Sequence, residues 1–137
     1  MSIRLHHTEA GPGDGAGGTP VVLLHGGGPG ASGLSNFGAN LPVLAKRFRT
    51  IVVDQPGFGL SDKPPVTGSY FTFAADALAA LLTGLGVERV HLIGNSLGGG
   101  TAVRLSLARR ARDLGIEPVV LEPGEDLAAL VANAVSR

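Results

Sequence analysis

Short apolar runs alternate with longer segments of helical spacing, and this alternation constrains the fold more than any other feature. The runs read PVVLLH, RTIVVD and ERVHLIG. Each has the length and β-branched content of a strand buried on both faces. EPVVLE near the C-terminus and SIRLHH near the start are predicted as further strands. Strands that alternate with helices form right-handed βαβ units. The predicted fold class is therefore α/β, a mostly parallel sheet with helices on both faces.

The segments between the runs are predicted as helices. Residues 36–48 are predicted as one helix, in which Pro42 limits the N-terminal part, and residues 97–110 as another. An apolar stripe at i, i+3, i+4 and i+7 predicts a third helix, at Leu78, Leu81, Leu82 and Leu85. The same spacing returns in the tail, at Leu127, Leu130, Val131 and Ala134.

Composition excludes several classes of protein. Eleven Lys and Arg balance eleven Asp and Glu, so no long-range field attracts nucleic acid or an anionic membrane. Cysteine is absent, which excludes disulfides and cysteine-based metal sites. The start of the chain lacks the apolar stretch of a signal peptide, and no apolar run could cross a bilayer. We therefore predict a cytoplasmic protein with no metal site and no nucleic-acid or membrane partner.

The first glycine-rich loop supports two interpretations. Gly28, Gly30 and Gly33 satisfy G-x-G-x-x-G after a predicted strand, and Asp54 ends the next strand, as in a dinucleotide-binding domain. Against this, PGASGLS is predicted to continue as loop where that fingerprint opens a helix. Asp54 also leads into QPGFGLSD, which is typical of a structural turn. A dinucleotide-binding domain is thus the weaker alternative.

The second loop, GNSLGG, fits G-x-S-x-G between a predicted strand and a predicted helix. Such a turn holds the Ser96 hydroxyl clear of the backbone, and Gly94 and Gly98 leave it room to close. The Leu97 N–H faces the same pocket. A glycine-rich turn with a helix-capping serine is the structural alternative. The loop HGGGPG at residues 25–30 favours the nucleophile, because an oxyanion hole needs a second N–H from a loop of this kind.

Three segments, LLHGGGPGASGLSNF, VVDQPGFGLSDKP and GNSLGGGTAVR, together resemble the meta-cleavage product hydrolases of the α/β-hydrolase superfamily. These enzymes break carbon–carbon bonds in ring-opened aromatic compounds. The likeness covers about residues 4–108 and is greatest to the actinobacterial branch that acts on a ring-opened steroid. It implies a small-molecule 2-hydroxy-6-oxo-dienoate substrate and no cofactor.

The resemblance also implies roles for single residues. Ser96 matches the nucleophile, and Gly27 and Leu97 match the oxyanion N–H donors. Gly28, Asn36 and Asn95 match positions that contact the dienoate. His25 and His91 are expected to be structural histidines rather than the catalytic base.

One requirement of that chemistry is not met by this sequence. The fold places its acid and then its histidine after the serine, yet residues 97–137 contain no histidine. We therefore expect a single truncated domain, with a family-like core at 4–108 and a divergent strand–helix tail at 109–137. Very weak hydrolysis and self-association through an uncovered sheet edge are also expected. A non-catalytic α/β binding module remains the alternative function.

Overall fold

A computed structural model describes residues 3–13, 18–110, 117–119 and 129. Among these residues, five strands form one sheet in the order β1-β3-β2-β4-β5. In chain order the elements are β1 (His7–Ala10), β2 (Val21–Leu24), α1 (Gly33–Phe37), α2 (Leu41–Leu44), β3 (Thr50–Val53), α3 (Tyr70–Gly84), β4 (His91–Gly94), α4 (Leu97–Arg110) and β5 (Glu117–Val119). The predicted α/β class is confirmed.

Four of the five strands run parallel, and only the edge strand β1 is antiparallel to its neighbour β3. In the central register Leu24 of β2 pairs with Val53 of β3 and with Gly94 of β4. The carboxyl ends of these three strands therefore meet at one edge of the sheet. Ligands bind outside that edge in open α/β sheets.

Both faces of the sheet are covered because successive strand residues point to opposite sides. Val22 and Leu24 face α3 and α4, where Leu78 of α3 packs with them in one core cluster. Val21 and Leu23 face the other way, into a smaller cluster whose helical and loop members are Phe37, Leu44 and Phe48. The two-sided burial explains why β2 reads as a continuous apolar run.

The structure corrects two predicted elements. The helix expected over 36–48 is two short helices, α1 and α2, because the chain turns between Gly38 and Asn40 and Pro42 starts α2 afresh. The opening strand expected in SIRLHH begins only at His7. The backbone before it is hydrogen-bonded instead to the loop after β3, including a pair of bonds between Arg4 and Asp62.

The remaining helices follow the sequence closely. α4 has the predicted bounds, and Ser69 caps α3 by accepting the Thr72 N–H. The predicted tail helix falls outside the described residues, apart from Ala129. Within the described ranges, no helix is long and apolar enough to span a bilayer. Among those same residues, no group of His, Asp and Glu side chains could hold a metal ion. Self-association through a sheet edge stays a prediction.

Candidate active site

The turn between β4 and α4 holds Ser96 in a backbone conformation that side-chain-bearing residues rarely adopt. Its φ is 51°, and among the described residues no other non-glycine residue has a positive φ. β4 ends at Gly94 and α4 begins at Leu97, so the chain turns sharply at the serine. Ser96 is exposed at the carboxyl edge of the sheet. This is the conformation that presents a serine hydroxyl to a bound ligand.

The turn closes because its two glycines carry no side chain. A Cβ at Gly94 would collide with the Gly98 carbonyl group. A Cβ at Gly98 would collide with the Leu24 carbonyl oxygen and lie 2.7 Å from the carbonyl oxygen of His25. The backbone that carries Ser96 therefore packs directly on the end of β2, beside the loop that leaves this strand.

Gly27 of that loop lies against Leu97. A Cβ built on Gly27 would be 3.0 Å from Cδ2 of Leu97 and 3.4 Å from its Cβ. Neither residue's N–H donates a hydrogen bond to another described residue. The two segments predicted to carry the oxyanion donors are thus brought together. Two spare amide hydrogens on adjoining turns are what such a hole requires.

Two asparagines make a second link between the same loops. Asn36 Oδ1 accepts the Gly26 N–H at 2.9 Å and an Asn95 side-chain N–H at 3.0 Å. Two of the three predicted substrate-binding residues therefore lie beside the turn and contact each other. Gly28, the third, is exposed and has no neighbour within 4 Å of where its Cβ would lie, so it does not belong to this cluster.

His25 is buried beneath the first loop, with both ring nitrogens engaged. Its Nδ1 lies 2.7 Å from the Gly26 carbonyl oxygen, and its Nε2 accepts the Gln55 N–H at 2.9 Å. These partners require the neutral tautomer with its hydrogen on Nδ1. The Phe58 ring packs edge-on at 5.1 Å. The surroundings agree with the predicted structural role, because His25 has no nitrogen available for the Ser96 proton.

The other three histidines lie away from Ser96. His6 contacts Asp54, with 3.0 Å between Nδ1 and Oδ2. His7 belongs to the edge strand β1, and His91 opens β4 at the opposite end from the turn. None of the four histidines in this sequence is therefore placed as the base for Ser96.

Two buried polar residues beneath the site were missed by sequence reasoning. The Gln55 side chain donates to the His25 carbonyl oxygen at 2.6 Å, and the Thr101 hydroxyl donates to Gln55 Oε1 at 2.7 Å. Both side chains are about 1 % exposed. One signal could have found Gln55, since it directly follows a predicted strand at the carboxyl edge of a parallel sheet. Thr101 gave no comparable signal.

Asp54 is a buried anchor for two loops. Its carboxylate accepts the Gly33 N–H at 2.7 Å and the Leu60 N–H at 3.0 Å, and it contacts His6. Burial by itself raises the pKa of Asp54, but the hydrogen bonds from Leu60, Gly33 and His6 outweigh it and leave that pKa below its ordinary 3.8.

The surroundings of Asp54 weigh against the dinucleotide alternative. That interpretation needs an acidic side chain turned toward a ribose, whereas this carboxylate is turned inward and held by the chain's own N–H groups. The expectation that PGASGLS continues as loop was wrong, because α1 begins at Gly33. A capping box between Ser32 and Ser35 starts this helix, which is only five residues long.

We expect Asp54→Asn to lower the free energy of unfolding at neutral pH by about 2 kcal/mol, because an amide cannot accept both loop N–H bonds equally well. Since the folded pKa is depressed, the carboxylate's contribution is complete above pH 3.8 and is lost as the pH falls through the folded value. The variant should therefore lose less stability in acid than the wild type. Urea unfolding across a pH series measures both effects.

Asp76→Asn is the matched control, because Asp76 is exposed on α3. It should unfold with the wild-type pH dependence. Equal acid sensitivity of the Asp54→Asn variant and the wild type would contradict the role of Asp54.

The arrangement is typical of the α/β-hydrolase class, in which a serine lies at a sharp strand-to-helix turn, above a mostly parallel sheet and beside a glycine loop. The profile of one family, described as the alpha/beta hydrolase fold, matches residues 19–112. The chain belongs to this family.

Two relatives within the family are named as hydrolases of 2-hydroxy-6-oxo compounds. The 2-hydroxy-6-oxononadienedioate/2-hydroxy-6-oxononatrienedioate hydrolase 1 of Dechloromonas aromatica (strain RCB) is 42% identical over 113 residues, 82% of this chain and 38% of that protein. The 2-hydroxy-6-oxo-6-phenylhexa-2,4-dienoate hydrolase of Comamonas testosteroni is 40% identical over 88% of this chain and 40% of that protein. The chain thus spans about two fifths of the length of these relatives.

A solved structure gives the same result. The meta-cleavage product hydrolase of Pseudomonas fluorescens IP01, complexed with acetates, superposes with a TM-score of 0.73 at 30% identity. The match covers 84% of this chain and 39% of that one. The resemblance to meta-cleavage product hydrolases is therefore confirmed.

Proposed function

We propose that this chain carries the nucleophile and the oxyanion hole of a serine-dependent carbon–carbon bond hydrolase. The observation that carries the proposal is Ser96 at φ 51° on an exposed turn, with Gly27 packed against Leu97 next to it. The names of the relatives share a 2-hydroxy-6-oxo unit, which supports a 2-hydroxy-6-oxo-dienoate as the small-molecule substrate. A steroid version of this substrate stays a prediction.

The proposed chemistry follows from these groups. The dienol tautomerises to a ketone, and Ser96 Oγ adds to the C6 carbonyl carbon. The Ser96 hydroxyl proton passes to water in this step, because none of the four histidines in this sequence is placed to accept it. The negative charge that develops on the carbonyl oxygen is stabilised by the Gly27 and Leu97 N–H groups, each such donor contributing about 3 kcal/mol. The bond between C6 and the conjugated chain then breaks, and its electron pair leaves with the dienol fragment, which takes up a proton from water. Water then hydrolyses the acyl group that remains on Ser96 and releases it as a carboxylic acid. No cofactor is needed for these steps.

Asn36 and Asn95 are proposed to bind the dienoate end of the substrate. Their amides join above the carboxyl edge of the sheet, close to Gly26. Gly28 is proposed to line the outer rim of the same site, where its exposed backbone leaves room for a ligand. Asn36→Ala should weaken binding of a non-hydrolysable dienoate analogue and also loosen the loop, because Gly26 loses its acceptor.

A fluorophosphonate probe tests the nucleophile. We expect slow labelling of the 137-residue chain at Ser96, because stoichiometric phosphonylation needs a single attack and the oxyanion hole stabilises the charged phosphoryl oxygen. Mass spectrometry of peptides locates the label. Ser96→Ala should abolish it.

Ser106→Ala is the matched control, because its hydroxyl lies on the same helix but is bonded to the Ala102 carbonyl oxygen. It should label like the wild type. Absence of label at Ser96 after long incubation would instead favour a non-catalytic module that binds ligands at the two loops.

A further inference from the structure

We propose that Gln55 is a positioning residue of the hydrolase site. Its carboxamide connects the end of β2, from which the loop with Gly27 departs, to α4, which begins at Leu97. Gln55 would thereby set the distance between the two oxyanion N–H groups. This inference rests on the proposed function.

The bridge consists of short hydrogen bonds in sequence. On one side, the Gln55 side-chain N–H donates to the His25 carbonyl oxygen at 2.6 Å, while its backbone N–H donates to the His25 ring at 2.9 Å. On the other side, Gln55 Oε1 accepts the Thr101 hydroxyl hydrogen at 2.7 Å. Thr101 lies one helical turn after Leu97 and is 3.4 Å from its carbonyl oxygen. One carboxamide thus joins both halves of the proposed hole.

Burial makes this bridge rigid. His25, Gln55 and Thr101 are at most 1 % exposed, so water is not available to replace a lost partner. A buried group whose partner is removed either stays unsatisfied or moves toward another partner. Loss of the Gln55 carboxamide frees the His25 carbonyl group, which is also the group that Gly98 approaches. Displacement there moves the loop relative to Leu97, and small displacements in a catalytic geometry have large effects on rate.

The test compares two variants, Gln55→Met and Thr50→Val. Methionine keeps the length of the Gln55 side chain but removes its side-chain hydrogen bonds to His25 and Thr101. Thr50 is a matched control, because it is also fully buried and its hydroxyl bonds to the Phe48 carbonyl oxygen at the other end of β3. Backbone amide spectra of the 137-residue chain are recorded for both variants. We expect the Gly27 and Leu97 resonances to shift in Gln55→Met and to stay in place in Thr50→Val.

Thr101→Val removes the hydrogen bond at the other end of the same bridge. It tests the positioning role of Gln55 if Gln55→Met does not fold. It should shift the same two amides, and the double variant should add less than the sum of the single effects. Unmoved Gly27 and Leu97 resonances in Thr101→Val or Gln55→Met would reduce Gln55 to a purely structural residue and overturn the proposal.

Labelling of Ser96 by the fluorophosphonate gives an independent readout. At a temperature where every variant is folded, we expect Gln55→Met to slow labelling about tenfold or more and Thr50→Val to leave the rate within about twofold. Wild-type labelling rates in Gln55→Met would count against the positioning role. No label in the wild type would contradict the proposed function, while the amide spectra would still decide the role of Gln55.

Discussion

Gly98→Ala should destabilise this protein by about 3 kcal/mol or more. The added Cβ would collide with the Leu24 carbonyl oxygen and would lie 2.5 Å from the Leu24 carbonyl carbon. These atoms belong to a central strand that is paired on both sides, so they cannot move without breaking sheet hydrogen bonds. Thermal and urea unfolding followed by circular dichroism measure the loss.

Gly99→Ala is a control one residue away. A Cβ there meets only the Gly94 carbonyl group, with the oxygen at 3.4 Å and the carbon at 3.9 Å, and alanine favours a helix over glycine by about 1 kcal/mol. This variant should therefore be as stable as the wild type or more stable. Similar unfolding curves for both variants would show that α4 does not pack on β2 as described.

The second large effect concerns turnover. With a 2-hydroxy-6-oxo-dienoate substrate, we expect the 137-residue chain to be slower by about a millionfold than a relative assayed in parallel, because none of its four histidines is placed as a base for Ser96 and removal of the histidine base has about that effect in a serine triad. His25 cannot substitute, since both of its nitrogens are engaged. Disappearance of the dienoate absorbance measures the rate.

Imidazole in solution distinguishes a missing base from a missing nucleophile. It should accelerate hydrolysis of an activated ester by the wild type more than by Ser96→Ala, whose rate gives the background from imidazole itself. Efficient turnover of the dienoate by the purified chain, lost in Ser96→Ala, would show that another group takes the proton.

The central sheet could be predicted because its signal is local. VVLL, TIVV and HLIG are short apolar runs between turn residues, and β2, β3 and β4 occupy those positions. The opening strand was misplaced because Arg4 and His6 bond to a loop more than fifty residues away. The helix over 36–48 was predicted as continuous, whereas the chain turns between Gly38, which ends α1, and Asn40, which precedes α2.

The candidate site, like the fold, could be predicted only where a local sequence pattern marks its residues. The proximity of Ser96, Gly27 and Leu97 could be predicted, because the turn at Ser96 requires glycine at positions 94 and 98 and the resemblance points to Gly27 in the partner loop, and the structure brings these segments together. The Asn36–Asn95 contact and the Gln55 bridge could not be found from the residues alone. Both depend on how strand ends line up in three dimensions, and an asparagine or glutamine in a loop has no spacing that marks it.

Under the proposed function, the left-handed backbone at Ser96 makes its hydroxyl a chemical reporter of folding. The unfolded chain leaves this conformation, because a left-handed backbone is unfavourable by about 1–3 kcal/mol for a residue such as serine. Only the tertiary contacts around the turn maintain it in the folded protein. A denaturant concentration that separates β2 from β4 should therefore abolish the labelling of Ser96 together with the native circular dichroism signal. The fraction of Ser96 that is labelled then measures the fraction of folded molecules, even in a mixture whose optical signals overlap.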